Sequence, residues 1–170
     1  PKDAKSAYTQ VQTVNGTVNI AHTTNDDVGA QISGPAIKDK LFFFAAVDPQ
    51  WQQTQYVAPN GFPLQSLGPE AQDRRIVSYA AKATWQISPG QHVDASFFGD
   101  PARVLNGPQR YTALLNDDTA AFSSLQYGGH NQTVKYEGAV GSGWLIEASY
   151  ARAANSIIED PSVNTWNLTD

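Results

Sequence analysis

Three short turn signals divide the chain into pairs of strand-like segments. Lys38-Asp39-Lys40, Ser88-Pro89-Gly90-Gln91 and Gly141-Ser142-Gly143 recur about every fifty residues, and each joins two segments of apolar and polar residues. Longer polar connections, residues 49–73 and 100–122, separate the resulting hairpins. Short turns at one edge and long loops at the other are typical of membrane β-barrels, whereas a soluble sandwich spreads its loop lengths more evenly.

The second and third hairpins show the clearest alternation, with apolar side chains on one face of each strand and polar side chains on the other. The apolar positions are Val77, Tyr79, Ala81, Ala83, Trp85, Ile87, Val93, Ala95, Phe97, Val134, Tyr136, Trp144, Ile146, Ala148 and Tyr150. No long helical periodicity competes with this pattern. We therefore predict an all-β, antiparallel, up-and-down fold of about six to seven strands, of the kind found in part of a transmembrane β-barrel.

The pattern is uneven along the chain. Residues 1–27 are polar and form a lead-in with weak strand content, including one candidate strand near residues 16–22. Residues 28–170 carry the strand signals. The strand that begins at Leu41 is predicted to extend towards Tyr56. Pro49 and Pro59 nevertheless predict that the segment after residues 41–47 lies outside a regular ladder, because proline cannot donate a hydrogen bond to one.

Composition excludes several classes of protein. Charged residues make up 16% of the chain and aromatic residues 11%, which is unlike a disordered chain. The 11 Lys and Arg are scattered among 16 Asp and Glu, so no basic stripe for nucleic acid is present. The longest apolar run, residues 41–47, is far too short for a transmembrane helix. The chain lacks cysteine, methionine and a secretory leader, and we interpret it as an internal piece of a longer polypeptide.

Catalytic and metal-binding patterns are not found in the sequence. His22, His92 and His130 are far apart and lack the spacing of a metal site. Gly141-Ser142-Gly143 lacks the spacing of a nucleophile elbow. We expect no enzymatic activity, no metal and no cofactor.

Two interpretations of the alternation remain open at this point. In a soluble sandwich, Lys82, Asp94, Lys135 and Glu137 would face solvent. In an outer-membrane barrel, the same four residues would line the interior and the apolar face would meet lipid.

Aromatic and basic residues near the strand ends favour the membrane. Phe43, Trp85 and Trp144 lie close to the short turns, as expected for an aromatic girdle at the periplasmic interface. Arg74 and Arg75 lie where a long loop re-enters a strand. Guanidinium groups pair well with phosphate, so these two arginines are candidates for contact with lipopolysaccharide.

Residues 26–44, which read Asp-Asp-Val-Gly-Ala-Gln-Ile-Ser-Gly-Pro-Ala-Ile-Lys-Asp-Lys-Leu-Phe-Phe-Phe, resemble a block that opens the barrel of TonB-dependent receptors of the Oar-like subgroup. Three later segments are similar to early barrel strands of that family: Lys82-Ala83-Thr84-Trp85-Gln86-Ile87-Ser88-Pro89, Ala95-Ser96-Phe97-Phe98-Gly99-Asp100-Pro101 and Trp144-Leu145-Ile146-Glu147-Ala148-Ser149-Tyr150. Ser33 departs from the glycine that is common at its position.

The resemblance implies a barrel of about 22 strands with a plug inside it. It implies a bacterial outer-membrane receptor that takes up a scarce siderophore, glycan or peptide. Its partners would be outer-membrane lipid, the unidentified ligand, its own plug and the TonB complex, with the plug and the TonB-contacting segment lying upstream of this chain. Two alternatives stay open: a soluble β-sandwich that binds carbohydrate, and a complete small outer-membrane barrel that acts as an adhesin.

Overall fold

A computed structural model of the protein describes the backbone of residues 9–13 and 16–163. Within these residues it contains nine β-strands, all paired antiparallel, and three short 3₁₀ helices. The strands are β1 (Thr9–Thr13), β2 (Gly16–Asp27), β3 (Ala30–Ile37), β4 (Leu41–Val57), β5 (Pro69–Ser88), β6 (Gln91–Gly99), β7 (Ala102–Gly107), β8 (Ser123–Val140) and β9 (Trp144–Pro161). The 3₁₀ helices are Pro63–Leu67, Tyr111–Leu115 and Thr119–Ala121. The prediction of an all-β antiparallel fold is confirmed.

Four of the nine segments are halves of two longer, interrupted strands. β2 and β3 pair with successive parts of β4, and the break between them falls at Val28 and Gly29. β6 and β7 pair in the same way with both β5 and β8, with a break at Asp100 and Pro101. When each interrupted strand is counted once, the nine segments form seven strands that follow one another in sequence, in agreement with the expected six to seven.

β4 continues through Pro49 to Val57, as expected from the predicted extension towards Tyr56, whereas the prediction that Pro49 lies outside regular pairing was wrong. The physical reason is the break in the neighbouring strand. The amide of Val28 donates to the carbonyl oxygen of Pro49 at 3.2 Å, so the side of Pro49 that lacks an N–H faces the gap between β2 and β3. A proline at such an irregularity leaves no ladder hydrogen bond unmade. Pro59 lies in the following loop, as expected.

Residues 16–27 belong to the same sheet as the rest of the chain. β2 pairs with residues 50–57 of β4, where β2 is rich in Thr and Asn and β4 is rich in Gln. Its polar sequence therefore reflects its position beside the polar end of β4, and the expected boundary at Val28 is a break within one strand. Residues 1–8, 14 and 15 of the predicted lead-in lie outside the described residues.

Connections of different length lie at the two ends of the sheet. The three predicted short turns join β3 to β4, β5 to β6 and β8 to β9 at what we call the turn end. Residues 58–68 and 108–122 form the connections at the opposite, loop end. These loops are shorter than expected because β4, β5 and the extra strand β7 extend into the segments that were predicted to be irregular.

Cross-strand register sorts the side chains into two faces, since directly opposed residues share a face. The apolar face comprises Ile32, Leu41, Phe43, Ala45, Val47, Trp51, Val77, Tyr79, Ala81, Ala83, Trp85, Val93, Ala95, Phe97, Val134, Tyr136, Ile146, Ala148 and Tyr150. The polar face comprises Lys82, Thr84, Gln86, His92, Asp94, Ser96, Thr133, Lys135, Glu137, Glu147 and Ser149, together with Phe42, Phe44 and Phe98.

The buried apolar cluster of the described residues lies in the loops. Its members are Ala58, Leu64, Ala113, Leu114 and Phe122, with Tyr56 and Leu115 packed against them. By contrast, large side chains of the apolar face remain exposed, and Trp85 is 51% accessible. No described element forms a second layer over that face.

β1 and β9 are the edge strands, because among the described residues β1 pairs only with β2 and β9 pairs only with β8. The whole of β9 is exposed along its 18 residues. No helix in the described part of the chain is long and apolar enough to cross a membrane.

Candidate functional site

The four charged residues predicted to face a barrel interior lie together on the polar face near the turn end. Lys82 and Asp94 form an ion pair of 3.2 Å between β5 and β6. Lys135 and Glu137 form a second pair of 2.5 Å on β8. Asp94 and Lys135 are directly opposed across β6 and β8, which brings the two pairs next to each other.

His92 and Glu147 complete this cluster, which we call the charge network. The Nε2 atom of His92 lies 3.0 Å from Glu137 and 3.6 Å from Asp94, so the imidazole bridges the two pairs. Lys135 also reaches Glu147 on β9 at 3.2 Å. The alternation placed both residues on the polar side of their strands, but only the register shows that they touch the predicted four.

The charge network links four strands and remains accessible to water. Thr84 donates to Asp94 at 2.5 Å, and Ser96 and Thr133 share a hydrogen bond of 2.5 Å one row further from the turns. The exposed fractions of its Lys, Asp and Glu side chains range from 27% to 58%. This surface can cross-link strands and present both signs of charge to a polar partner. In the described part of the chain, no group of three acidic or histidine side chains is arranged to hold a metal ion.

The loops fold towards the polar face at the loop end. The side-chain amide of Gln72 donates to the backbone carbonyl oxygen of Gln109 at 3.1 Å, and the side-chain amide of Gln109 donates to the backbone carbonyl oxygen of Ser123 at 2.5 Å. Tyr56 packs against the buried loop cluster, and this burial raises the pKa of its hydroxyl, against an opposing effect of the Arg74 charge. This end of the polar face is therefore closed by protein, whereas the charge network is open.

The three residues of the predicted aromatic girdle share the apolar face. Trp85 and Trp144 are 51% and 77% exposed, and Phe43 is half-buried. Phe43 lies two residues along β4 from Leu41, which pairs with Trp85. Trp144 begins β9 directly after the third turn. All three lie in the half of the apolar face nearest the turns.

The short turns are staggered in a regular way. One cross-strand row runs through Leu41, Trp85, Val93, Tyr136 and Ala148. Counted along the chain from this row, the centre of the first turn lies about two residues away, that of the second about four and that of the third about six. The stagger is therefore about one residue per strand. With a rise of about 3.3 Å per residue and about 4.8 Å between strands, it corresponds to a strand tilt of about 35° if the turns lie at one level.

The two arginines that were predicted to contact lipopolysaccharide lie on opposite faces, because successive side chains of a strand alternate. Arg75 is exposed and shares the apolar face with Trp51, its partner in β4. Arg74 lies on the polar face, where its guanidinium is 5.8 Å from the ring centre of Tyr127 and its Nε is buried. Arg74 is therefore enclosed at the loop end of the polar face, on the side of the sheet opposite Arg75.

An aromatic cluster on the apolar face was not predicted. The hydroxyl of Tyr79 lies 2.5 Å from Nδ1 of His130, and the Phe97 and His130 rings stack with centroids 6.3 Å apart. Tyr79 reaches His130 by passing over Gly99, where an added Cβ would come within 2.5 Å of the Tyr79 hydroxyl. Glycine at position 99 leaves room for this crossing, a relationship between neighbouring strands that the sequence does not display.

Comparison of the chain with protein-family models, with curated proteins and with solved structures finds no match in any of the three.

Proposed function

We propose that this chain forms part of the wall of an outer-membrane β-barrel, with the apolar face against lipid and the polar face lining the interior. The observation that carries the proposal is the uncovered apolar face. Trp85, Tyr150 and Ile32 are each more than half exposed, and no described element covers them. In water such a surface would be unfavourable, because burying apolar area is the main driving force of folding.

The dimensions of the face support the same proposal. In β4 the apolar positions run from Leu41 to Trp51, which is about 33 Å along the strand. At a tilt of about 35° this corresponds to a height of about 27 Å, close to the apolar band of about 25 Å on membrane barrels. The long edge of β9 is then the place where a further strand continues the wall, since an open edge is not tolerated in lipid.

The narrower proposal is that the barrel belongs to a receptor of the TonB-dependent type, taking up a siderophore, a glycan or a peptide. It rests on the resemblance of residues 26–44, which include β3, the first short turn and the beginning of β4. In such a receptor the charge network would face the plug, and paired charges of both signs suit a polar protein surface. Catalysis has no part in this proposal.

The two alternatives have less support. A soluble sandwich that binds carbohydrate requires a second sheet over the apolar face, and the described residues contain none. A complete small barrel requires pairing between its first and last strands, and no described pairing joins β1 to β9.

The membrane proposal is tested by folding the complete protein from denaturant into detergent micelles and, in parallel, into plain buffer. We expect a heat-modifiable gel band only in detergent. A monomer that folds in buffer with Trp85 shielded from a soluble quencher would contradict the proposal.

The receptor proposal needs a separate experiment in the producing cells. Uptake of labelled siderophores, glycans and peptides is measured before and after the TonB complex is inactivated. Uptake that depends on this protein and stops when TonB is lost is the expected result, and uptake that continues unchanged would overturn it.

A further inference from the structure

Arg75 and Arg103 form a pair of like charges on the apolar side of the sheet. They are directly opposed across β5 and β7, and both are exposed. Neither guanidinium forms an ion pair with a carboxylate of the described residues. Like charges in opposed positions destabilise a sheet, so an anion that lies between or above the two guanidinium groups would stabilise this arrangement.

The position of the pair agrees with a membrane interface. Arg75 lies two residues beyond Val77, the last large apolar side chain of β5 on this face, and its partner on β4 is Trp51. Tryptophan is enriched at the level of lipid headgroups. Guanidinium groups bind phosphate through two parallel hydrogen bonds, which makes arginine better suited than lysine to a headgroup phosphate.

An apolar groove lies on the same face between the arginines and the short turns. It has a volume of about 610 Å³, and its floor consists of small side chains, among them Ala81, Ala83 and Ala95, beside the rings of Phe43 and Phe97. Along β5, Ala81 is six residues from Arg75, which is about 20 Å. That separation is within the reach of a fatty acyl chain attached to a headgroup held by the arginines.

We propose that Arg75 and Arg103 bind the phosphate of a membrane lipid, with one acyl chain of that lipid in the alanine-floored groove. The proposal rests on the membrane location proposed above and adds a specific lipid site to it. The matching chemistry is a phosphate group attached to an acyl chain, because the positive pair and the apolar groove lie on one face.

The test uses the complete protein in vesicles of phosphatidylcholine, with and without phosphatidic acid, followed by extraction and native mass spectrometry. We expect the wild-type protein to retain phosphatidic acid in preference to phosphatidylcholine. Arg75→Gln and Arg103→Gln should each weaken the retention of phosphatidic acid about tenfold, because each removes a guanidinium group that can form two charge-assisted hydrogen bonds with phosphate. Arg75→Lys should give an intermediate loss. Lys38→Gln, which removes one charge in a short turn, is the matched control and should behave as wild type.

Two results would overturn the lipid site. One is equal retention by the wild type, Arg75→Gln and Arg103→Gln. The other is competition by inorganic phosphate at the same concentration as the lipid, which would show that the pair binds a free anion and that the groove contributes nothing. Heat-modifiable mobility of each variant is measured alongside. A protein that inserts normally but lacks lipid preference contradicts only this inference, whereas one that never inserts contradicts the membrane proposal.

Discussion

Leu114 in the loops is completely buried, whereas Trp85 on the apolar face of the sheet is 51% exposed. Both side chains are large and apolar, yet the fold surrounds one with protein and leaves the other uncovered. The loop cluster follows the usual logic of a soluble protein, in which apolar residues from Pro63–Leu67 and Tyr111–Leu115 pack against each other. In the sheet, by contrast, the strands are held together by the hydrogen-bonded ladder. The apolar side chains of the sheet therefore remain exposed to whatever surrounds the protein.

The difference lies in what surrounds each region: protein surrounds the loop cluster, whereas no described element covers the apolar face of the sheet. If the outside solvent of the sheet is lipid, changes on the apolar face should be judged by transfer into a bilayer. Changes in the loop cluster should be judged by cavity formation in a small protein core.

The largest expected effect comes from an arginine on the apolar face. Ala95→Arg places a charge in the middle of the proposed lipid band, where the cost is about 2–4 kcal/mol. Ser96→Arg adds the same side chain one residue further on, but on the polar face, where it meets water and the charge network. Urea unfolding of both variants in vesicles measures the difference. Equal destabilisation of the two variants would contradict the assignment of the faces.

The loop cluster should respond to a cavity without affecting the wall. Leu114→Ala removes most of a fully buried side chain, which costs about 2–3 kcal/mol of local stability. We expect faster proteolysis within residues 108–122 and an unchanged heat-modifiable band. Thr112→Ala, on the exposed side of the same 3₁₀ helix, is the control and should leave proteolysis unaltered. Loss of the folded band in Leu114→Ala would show that the loops and the wall are not separable.

Much of the wall could be predicted from the sequence because strand alternation has a period of two. Trp85 and Lys82 were assigned to opposite faces from spacing alone, and the register agrees. The regular pairing of β4 through Pro49 could not be predicted, because the effect of Pro49 depends on a break in a neighbouring strand. Arg103 was missed for a related reason: it lies on β7, a short strand within a segment that looked like a loop. The contact of His92 with Glu137 likewise depends on the register between β6 and β8, which a long loop and β7 separate in the chain.

A smaller effect is expected where Tyr79 crosses Gly99. In Gly99→Ala, the added methyl group would meet both the Tyr79 hydroxyl and the carbonyl oxygen of Gly129. The backbone can relieve this contact only by shifting, which costs about 1–3 kcal/mol. Gly34→Ala on β3 is the control, because nothing lies within 4 Å of a Cβ added there. Unfolding midpoints of the two variants in detergent give the comparison, and a normal midpoint for Gly99→Ala would show that the crossing does not stabilise the sheet.

The smallest effect is expected in the charge network, where water screens the ion pairs. Asp94→Asn weakens the contacts of Asp94 with Thr84 and Lys82, and leaves Lys82 on an exposed surface where water can solvate it. We therefore expect a loss of stability smaller than that of Gly99→Ala, and one that shrinks as salt is added.

Asp39→Asn removes the same charge from the first short turn, where Asn tolerates the positive φ of 58°. Unfolding of both variants at low and high salt distinguishes a contribution of the network from a general effect of net charge. If the two variants have the same salt dependence, the network does not stabilise the wall. Its paired charges would then serve only as a surface for a polar partner, and the difference between the two faces would lie entirely in the solvent each one meets.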